Sequence, residues 1–420
     1  MRSTSFLWVI AVIMLLLDTY IFFVFRSLLQ HSNDRLRIGI YSGYWIINII
    51  IILVLLTFPY WRDASWLRES RDYVFAVILG IIFAKLIAVI FFLVDDIRRG
   101  GMWLMSKLFH HTGADFVQDN PVIKRSTFLT WFGFAAGTSL FGSLVYGFTN
   151  KYNYKVRTVK LSFDNLPKAF KGFRIVQISD IHSGSFHNKE AVEHGVNMVL
   201  QQKADLVLFT GDIVNDDALE MQSYIDTFKR IKAPYGVYST LGNHDYGDYK
   251  WGSNPTGTAL SEKQQNHRRV IDTHKQLGWQ LMMNEHVAIE KDGEAFALIG
   301  IENWGAKAGF PKYGKMDLAY PGTEKYSFKI LMSHDPSHWD AEVRPKYGDI
   351  DLMLSGHTHG MQFGVETPWF KWSPVQWVYK QWAGLYTEGK QHLYVNRGYG
   401  FIGYPGRVGI LPEITVIELA

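Results

Sequence analysis

The chain has 420 residues, a formal net charge of +4 and no cysteine. Without cysteine there are no disulfides, no thiolate metal sites and no cysteine nucleophile, so any metal ligands must come from His, Asp, Glu or Asn. The small net charge does not favour a nucleic-acid partner, because binding to a phosphate backbone requires clustered Lys and Arg.

Four long apolar stretches occupy the first 150 residues. Each is close to the ~20 residues that a helix needs to cross a bilayer. The first is too long for the apolar core of a cleaved signal peptide, and no small-residue cleavage site follows it. The sequence therefore predicts an all-α transmembrane region over residues 1–150, with four helices at about 6–25, 38–58, 73–94 and 128–148.

Two charged residues lie inside these stretches, Asp18 in the first and Lys85 in the third. Each costs roughly 2.5 to 3.5 kcal/mol on membrane-insertion scales. The two can form an ion pair, or each can separately face the bundle interior or extend toward the membrane surface. The sequence leaves both interpretations open.

The basic residues that flank the helices predict the side of the membrane on which the rest of the chain lies. There are eight on each side. However, four of these follow the last helix and belong to a predicted strand, and folded domains translocate largely regardless of charge. Discounting those four predicts that the domain lies outside the cytoplasm. Lys124 and Arg125 support this orientation, because the sequence around them resembles a degenerate twin-arginine export signal.

Residues 151–420 have the charge, glycine and turn content of a folded domain. Apolar runs alternate with helical patterns, which is typical of strand-helix-strand units and of a sheet covered by helices. We predict helices at 189–202, 219–231 and 262–277, and strands at 152–161, 173–178, 205–209, 236–241, 287–290, 295–301, 328–332, 351–354, 392–396 and 414–419.

Polar residues directly follow five of these strands. In α/β sheets, ligands bind at the carboxyl ends of the strands, so five separate segments are predicted to meet at one place. A single Asp-x-His or Gly-Asp after a strand is usually only a turn, and it is the series that indicates a site. The five groups are Asp180-Ile-His182, Gly211-Asp212, Gly242-Asn243-His244-Asp245, His334-Asp335 and Gly356-His357-Thr-His359-Gly360.

The donors in these groups are carboxylate, amide and imidazole, a set that suits manganese, iron or zinc rather than calcium. Asp180 and His182 can approach one ion together, while His357 and His359 can serve two neighbouring ions. Asp212 is the natural bridge, because each carboxylate oxygen can bind one ion. Two such ions would polarise a phosphoryl group and activate a water molecule, so that no Ser or Cys nucleophile is needed.

The five groups resemble the calcineurin-like metallophosphoesterase superfamily, and in particular its bacterial membrane-anchored branch. All five are intact, and the resemblance extends from about Lys155 to the C-terminus. It implies an α/β fold in which two packed β-sheets are flanked by helices, an αββα sandwich, here preceded by the all-α four-helix transmembrane region. It also implies a metal-dependent phosphohydrolase with a binuclear metal centre.

The resemblance divides seven ligands between two divalent ions that share one aspartate. One ion would be held by Asp180, His182, Asp212 and His359, and the other by Asp212, Asn243, His334 and His357. His244 would be the acid or electrostatic clamp on the departing oxygen, and Asp245 would orient its imidazole.

Two segments depart from a compact member of this family. One is a polar excursion over residues 247–269. The other, residues 369–386, is rich in aromatic side chains and begins ten residues after His359. It can line the substrate entrance, rest on the bilayer surface, where Trp and Tyr are favoured, or belong to the core.

The predicted function is hydrolysis of a phosphomonoester, phosphodiester or pyrophosphate bond by a metal-activated water, with a lipid-linked substrate as one option. The sequence identifies neither the substrate nor the metal. Two alternatives stay open, a catalytically inactive metal-binding scaffold and a UDP-diacylglucosamine pyrophosphohydrolase, whose site would have to be cytoplasmic. The expected partners are a phosphate ester and the lipid bilayer, and nucleic acid is not expected.

Overall fold

The computed structural model describes residues 4–61, 68–109, 124–307, 309–310 and 312–420. The chain divides into two compact units, Met1–Tyr146 and Gly147–Ala420. The first unit contains four long helices, and the second contains two β-sheets with their covering helices.

The four helices of the first unit are long and apolar enough to cross a membrane, as the sequence predicts. They are α1 (Thr4–Leu28), α2 (Asp34–Trp61), α3 (Arg68–Phe109) and α4 (Thr127–Gly147). Much of the loop predicted between α2 and α3 (62–67), and of the loop predicted before α4 (110–123), lies outside the described residues.

Helix α3 is longer than predicted. We expected a helix over 73–94, but it continues to Phe109. Asp95 pairs with Arg98 one turn later, at 2.8 Å, and ion pairs at this spacing stabilise a helix outside its apolar part. Hydrophobicity therefore predicts the part of the helix that crosses the membrane but not where the helix ends.

The two charged residues within the apolar stretches form an ion pair. Lys85 Nζ lies 2.5 Å from Asp18 Oδ1, and it also donates to Asn48 Oδ1 at 2.5 Å. Asp18 is fully buried. The contact joins α1, α2 and α3, and it decides between the two interpretations that the sequence left open.

The second unit contains two six-stranded sheets, ordered β1-β14-β2-β3-β4-β5 and β12-β13-β9-β8-β7-β6, and a separate hairpin, β10-β11. The strands are β1 (Lys155–Leu161), β2 (Arg174–Ile178), β3 (Leu206–Phe209), β4 (Val237–Ser239), β5 (Gln280–Leu281), β6 (Glu285–Lys291), β7 (Glu294–Gly300), β8 (Lys329–Met332), β9 (Leu352–Ser355), β10 (Val365–Glu366), β11 (Lys371–Trp372), β12 (Gly384–Glu388), β13 (Gln391–Val395) and β14 (Glu413–Leu419).

Helices cover the outer face of each sheet. They are α5 (Lys189–Gln201), α6 (Ile225–Phe228), α7 (Asp248–Trp251), α8 (Gly257–Leu277), α9 (Met316–Ala319) and α10 (Arg344–Lys346), and all but α5 and α8 are single turns. A short π-helical segment, Trp339–Val343, leads into α10.

Alternate residues of the strands enter different apolar layers, because successive side chains point to opposite faces of a sheet. Ile175 of β2 meets Leu298 of β7 in the layer between the sheets. Its neighbour Val176 instead belongs to the layer that contains Val192 of α5. Trp339 lies in a third layer, on the outer face of the second sheet. This order of helix, sheet, sheet and helix confirms the predicted αββα sandwich.

Two predicted helices differ in the structure. The helix predicted over 219–231 is a 3-10 helix at Ala218–Tyr224 followed by the single turn of α6. The helix predicted from residue 262 begins at Gly257. Helix α8 therefore takes up part of the polar excursion, because a solvent-facing helix needs few apolar residues to form once one face is packed.

Candidate metal centre

Five loops at the carboxyl ends of parallel strands meet at one edge of the sandwich. Three follow the neighbouring strands β2, β3 and β4, and two follow β8 and β9. Backbone hydrogen bonds join the loops, since Asp180 N donates to Gly211 O at 2.9 Å and Gly356 N donates to His334 O at 2.9 Å. This arrangement brings together the polar groups that are widely separated in the sequence.

The backbone of these loops is strained. Asp180, His182, Asp212, His357 and His359 all have φ between 48° and 71°, a region that residues other than glycine seldom adopt. Such strain costs on the order of 1–3 kcal/mol per residue and clusters at functional sites. The sharp turns allow side chains two residues apart to approach the same point.

Two glycines of the motifs are required by close approach. A Cβ atom at Gly356 would overlap Ser179 Oγ and the carboxylate of Asp180. A Cβ atom at Gly242 would overlap the carboxylate of Asp212. A side chain at either position would displace a candidate metal ligand.

Asp180, His182 and His359 form one group that can hold a metal ion. Their ligand atoms lie within 4.8 Å of one another, and all three residues are buried. His359 Nε2 is 3.2 Å from Asp180 Oδ1. The Asp180 carboxylate also accepts from the backbone N–H of His357 at 3.0 Å, which ties the loop after β9 to the loop after β2.

Asp212, His334 and His357 form a second such group. Asp212 Oδ2 lies 3.0 Å from His334 Nε2 and 3.6 Å from His182 Nε2, so it faces members of both groups. Asn243 Oδ1 lies 2.7 Å from His357 Nδ1. Asp212 therefore occupies the position that a carboxylate shared by two ions would need.

The donor atoms fit a metal ion. Within the described residues, Nε2 of His182, His334 and His359 is buried and makes no hydrogen bond, although each lies 3.0 to 3.6 Å from a carboxylate oxygen. A buried polar atom left unpaired costs about 1–3 kcal/mol. In His334 the other nitrogen, Nδ1, lies 2.7 Å from Thr210 O and donates to it. Nε2 is therefore the atom left for a ligand.

The pKa shifts of Asp180 and of three imidazoles suit metal binding, whereas His334 would have to lose a proton. Burial lowers the pKa of His182, His357 and His359, so these imidazoles are neutral near pH 7. Burial would raise the pKa of Asp180, but the imidazoles of His359 and His334 outweigh it and hold that pKa below its ordinary range. Burial opposes the charge on His334 as well, but Asp212 raises the pKa of His334 to about 10. Binding of an ion would displace that proton.

His244 lies beside the two groups and, with His182 and Asp212, forms a third set whose ligand atoms lie within 4.8 Å of one another. Its ring is 4.8 Å from the ring of His182 and stacks on Tyr249 at 4.4 Å. His244 Nδ1 lies 2.7 Å from the backbone oxygen of Asn215. Donation from Nδ1 leaves Nε2 available to a substrate.

The expectation that Asp245 orients His244 is wrong. The Asp245 carboxylate instead accepts from the backbone N–H groups of Gly242, Asp212 and Ile213, at 2.8 to 2.9 Å. Asp245 therefore joins the loop after β3 to the loop after β4. The sequence could not show this, because the two residues are adjacent in the chain and their side chains leave it in different directions.

Two residues without an assigned role in the sequence analysis support a candidate ligand. Tyr379 OH lies 2.8 Å from His357 Nε2 and donates to Asp335 Oδ2 at 3.2 Å. Tyr379 and Asp335 are buried. A fixed partner on the second ring nitrogen orients an imidazole ligand. Position alone hinted at this contact, since Asp335 adjoins His334 and the aromatic segment follows His359.

The aromatic segment, residues 369–386, divides into exposed and buried parts. Trp369, Phe370 and Trp377 are 92%, 57% and 75% exposed. Tyr379 and Trp382 are buried. The segment is therefore neither a core element nor a surface element throughout.

Both units match known families. Residues 1–151 match a family described as a probable calcineurin-like phosphoesterase transmembrane domain. Residues 173–361 match the calcineurin-like phosphoesterase family. The second match contains all five polar groups.

Relatives from bacteria and animals match 59% to 66% of this chain. The uncharacterized metallophosphoesterase YkuE of Bacillus subtilis is 31% identical over 268 residues, which are 62% of this chain and 83% of YkuE. A transmembrane protein with metallophosphoesterase domain from Danio rerio is 29% identical over 66% of this chain and 60% of its own length. Phosphodiesterase YaeI of Escherichia coli is 27% identical over 59% of this chain and 82% of YaeI.

Proposed function

Because the chain belongs to the calcineurin-like phosphoesterase family, as a metal-dependent phosphoesterase with a transmembrane domain, we propose that its centre binds two divalent ions. With these ions, the centre hydrolyses a phosphomonoester, phosphodiester or pyrophosphate bond. The observation that carries the proposal is the set of three buried Nε2 atoms, without hydrogen bonds in the described residues, around two carboxylates.

The ligands follow the two groups of the centre. One ion is assigned to Asp180, His182, Asp212 and His359, and the other to Asp212, Asn243, His334 and His357. The donor set favours manganese, iron or zinc. When bound, the ions would withdraw charge from a phosphoryl group and lower the pKa of a water molecule.

The other residues of the centre orient these groups and handle the leaving oxygen. Asp212 serves as the bridge, because its Oδ2 faces both His182 and His334. His244, held through Nδ1 by Asn215, presents Nε2 to hydrogen-bond or protonate the departing oxygen. Asp245 keeps the loops after β3 and β4 in register.

Two observations favour particular classes of substrate. The E. coli relative YaeI is a phosphodiesterase, so phosphodiesters are the first class to test. The four membrane-crossing helices favour a substrate attached to a lipid. A nucleotide-linked lipid pyrophosphate would require the centre to face the cytoplasm, whereas the basic flanks favour the opposite side.

The test is a metal-reconstituted activity screen of the full chain in lipid nanodiscs. Metal-stripped protein is loaded with manganese, iron or zinc and assayed on mono-, di- and pyrophosphate esters, with and without lipid chains. Asp212→Ala should lose both turnover and bound metal, because both ions lose a shared anion. The matched control is Asp272→Ala, which removes an exposed carboxylate of α8.

Elemental analysis of the purified variants separates loss of metal from loss of fold. If Asp212→Ala keeps two ions and a near-normal rate, the bridging role is wrong. If the unaltered chain binds metal but hydrolyses no ester in the screen, the inactive scaffold becomes the better description.

A further inference from the structure

Exposed apolar side chains of the second unit are concentrated in one segment. Among the described residues from 147 onward, eleven large apolar side chains are exposed, and seven of them lie between Met361 and Leu385. Single exposed apolar residues are ordinary, but a cluster indicates an interaction surface. We define the apolar face as Met361, Val365, Trp369, Phe370, Trp377 and Val378.

The face is built on ordered structure. Strands β10 and β11 pair in an antiparallel hairpin, and Thr367 N donates to Phe370 O at 2.8 Å to close its turn. The ring of Trp372 lies 6.1 Å from that of Trp377. The hairpin therefore contacts the 3-10 helix that follows it, Pro374–Trp377, and the exposed rings belong to a defined surface.

The face is close to the point where the chain leaves α4. Gly147, the last residue of α4, accepts a hydrogen bond from Arg407 N at 2.9 Å. The next residue, Val408, is bridged to Phe363 and accepts from Gly364 N at 2.9 Å. The step from Gly147 to Arg407 and the step from Val408 to Phe363 together span roughly 10 Å. Gly147 is also the first residue of the second unit, so the chain enters that unit, directly after its last apolar helix, close to the hairpin.

The charges around the face are compatible with phospholipid headgroups. Glu366 is the one carboxylate between residues 361 and 378, and it is paired with Arg397 at 2.5 Å and Arg157 at 2.7 Å. Lys380 is exposed. A neutralised carboxylate and an exposed lysine favour an anionic membrane surface.

We propose that the apolar face binds the surface of the bilayer, with Trp369 and Trp377 at the level of the headgroups, where Trp is favoured. Tyr379 directly follows the face and contacts His357. Binding of the face would therefore place the metal centre beside the membrane. A phosphate ester with a lipid chain could then be hydrolysed without leaving the bilayer, an extension that rests on the proposed function.

The absence of cysteine makes a direct test simple. Trp369→Cys and Trp377→Cys each create a single site for a nitroxide label in the full chain. The control is Leu318→Cys, an exposed position outside the face with 60% exposure. The proteins are placed in nanodiscs of phosphatidylcholine and phosphatidylglycerol, and collisions of the label with oxygen and with a water-soluble nickel chelate are measured.

We expect labels at 369 and 377 to collide several-fold less with the chelate, and more with oxygen, than the label at 318. Equal access of the chelate at all three positions would overturn the proposal. Dipolar broadening between labels at 369 would show a second copy of the chain on the face and would also overturn it. These measurements do not involve catalysis, so they stand whether or not the proposed reaction is correct.

A second measurement tests the extension to lipid substrates. The double variant Trp369→Ser/Trp377→Ser should keep its rate on a short-chain phosphodiester and lose rate on the same ester with long acyl chains in nanodiscs. An unchanged rate on both would remove the extension. An equal loss on both would show that the face supports the centre rather than access from the membrane.

Discussion

At the scale of single residues, the centre depends on which nitrogen of each imidazole is left to face a metal ion or the substrate. His334 and His244 each use Nδ1 on a backbone oxygen. His357 instead has Tyr379 on Nε2, which leaves Nδ1 toward Asn243. Partners that never touch the metal therefore determine the geometry of those that do.

Replacement of His244 by Ala should leave both metal ions bound and lower kcat by ~10² to 10⁴, the range for a positioned proton donor. The loss should be smaller for esters with acidic leaving groups such as nitrophenol, because these depart without a proton. Rates over a leaving-group series, together with elemental analysis, provide the measurement. An equal loss for every leaving group would indicate that His244 only positions the substrate.

Replacement of Tyr379 by Phe should weaken metal binding by ~10- to 100-fold, the usual effect of removing a partner of an imidazole ligand. The ring is retained, so packing should change little. Calorimetric titration of the metal-free chain with manganese or zinc measures the affinity directly. The matched control is Tyr386→Phe, whose hydroxyl accepts from Trp382 N and contacts no candidate ligand. Equal affinities in the two variants would show that Tyr379 does not orient His357.

At the scale of secondary-structure elements, one buried ion pair joins the two sheets. Arg397 follows β13 of the second sheet, and Glu413 begins β14 of the first. Their side chains are in direct contact and almost fully buried. Tyr394 of β13 also donates to Glu413, at 2.5 Å. The edge that carries the metal centre is therefore stabilised by a charge contact between the sheets as well as by the apolar layer.

Arg397→Met should lower the free energy of unfolding by about 3–5 kcal/mol, because a buried carboxylate loses its partner. Arg174→Met is the control, since its pair with Glu418 is partly exposed and 3.6 Å long, and such surface pairs contribute about 0–1 kcal/mol. Denaturant unfolding of the full chain in detergent compares the two. Equal losses would mean that the buried pair contributes no more than the surface pair.

The loss in free energy of unfolding caused by Arg397→Met should depend on pH. Burial would raise the pKa of Glu413, but Arg397 outweighs it and holds that pKa below its ordinary value. A depressed carboxyl pKa stabilises the fold above the unfolded value of about 4.3, and this contribution is lost as the pH falls through the folded value. The stability of the unaltered chain should therefore approach that of the variant in acid, and a constant difference would contradict the assignment.

Elements with strong local patterns were predicted well. The strands that precede the five polar groups are continuous buried runs, so their positions followed from hydrophobicity. The helix predicted over 219–231 was right in place but not in type: a capping box of Asp217 and Glu220 starts it, and it continues as a 3-10 helix before the single turn of α6. Four short strands, β5, β10, β11 and β12, were missed, since none has an apolar alternation long enough to stand out.

At the scale of the whole molecule, the side of the membrane that carries the metal centre is the main prediction. A reporter that is active only after export should be active when fused behind Tyr152. Once the four basic residues after the last helix are discounted, the remaining basic flanks favour export of the domain. The same reporter fused at Ser32, in the loop between α1 and α2, should be silent. The reverse pattern would place the centre in the cytoplasm and make nucleotide-linked lipids the leading substrates.

The sequence by itself determined the four apolar helices, the α/β class of the second unit and the set of polar groups expected to form a centre, while the αββα arrangement was implied by the family resemblance. These depend on local properties: apolar length, strand patterns and motifs that lie directly after strands. Only the tertiary structure decided the pairing of Lys85 with Asp18, the partners of His244 and His357, and the division of the aromatic segment. Each depends on residues distant in the sequence, whose approach is set by packing and leaves no local pattern.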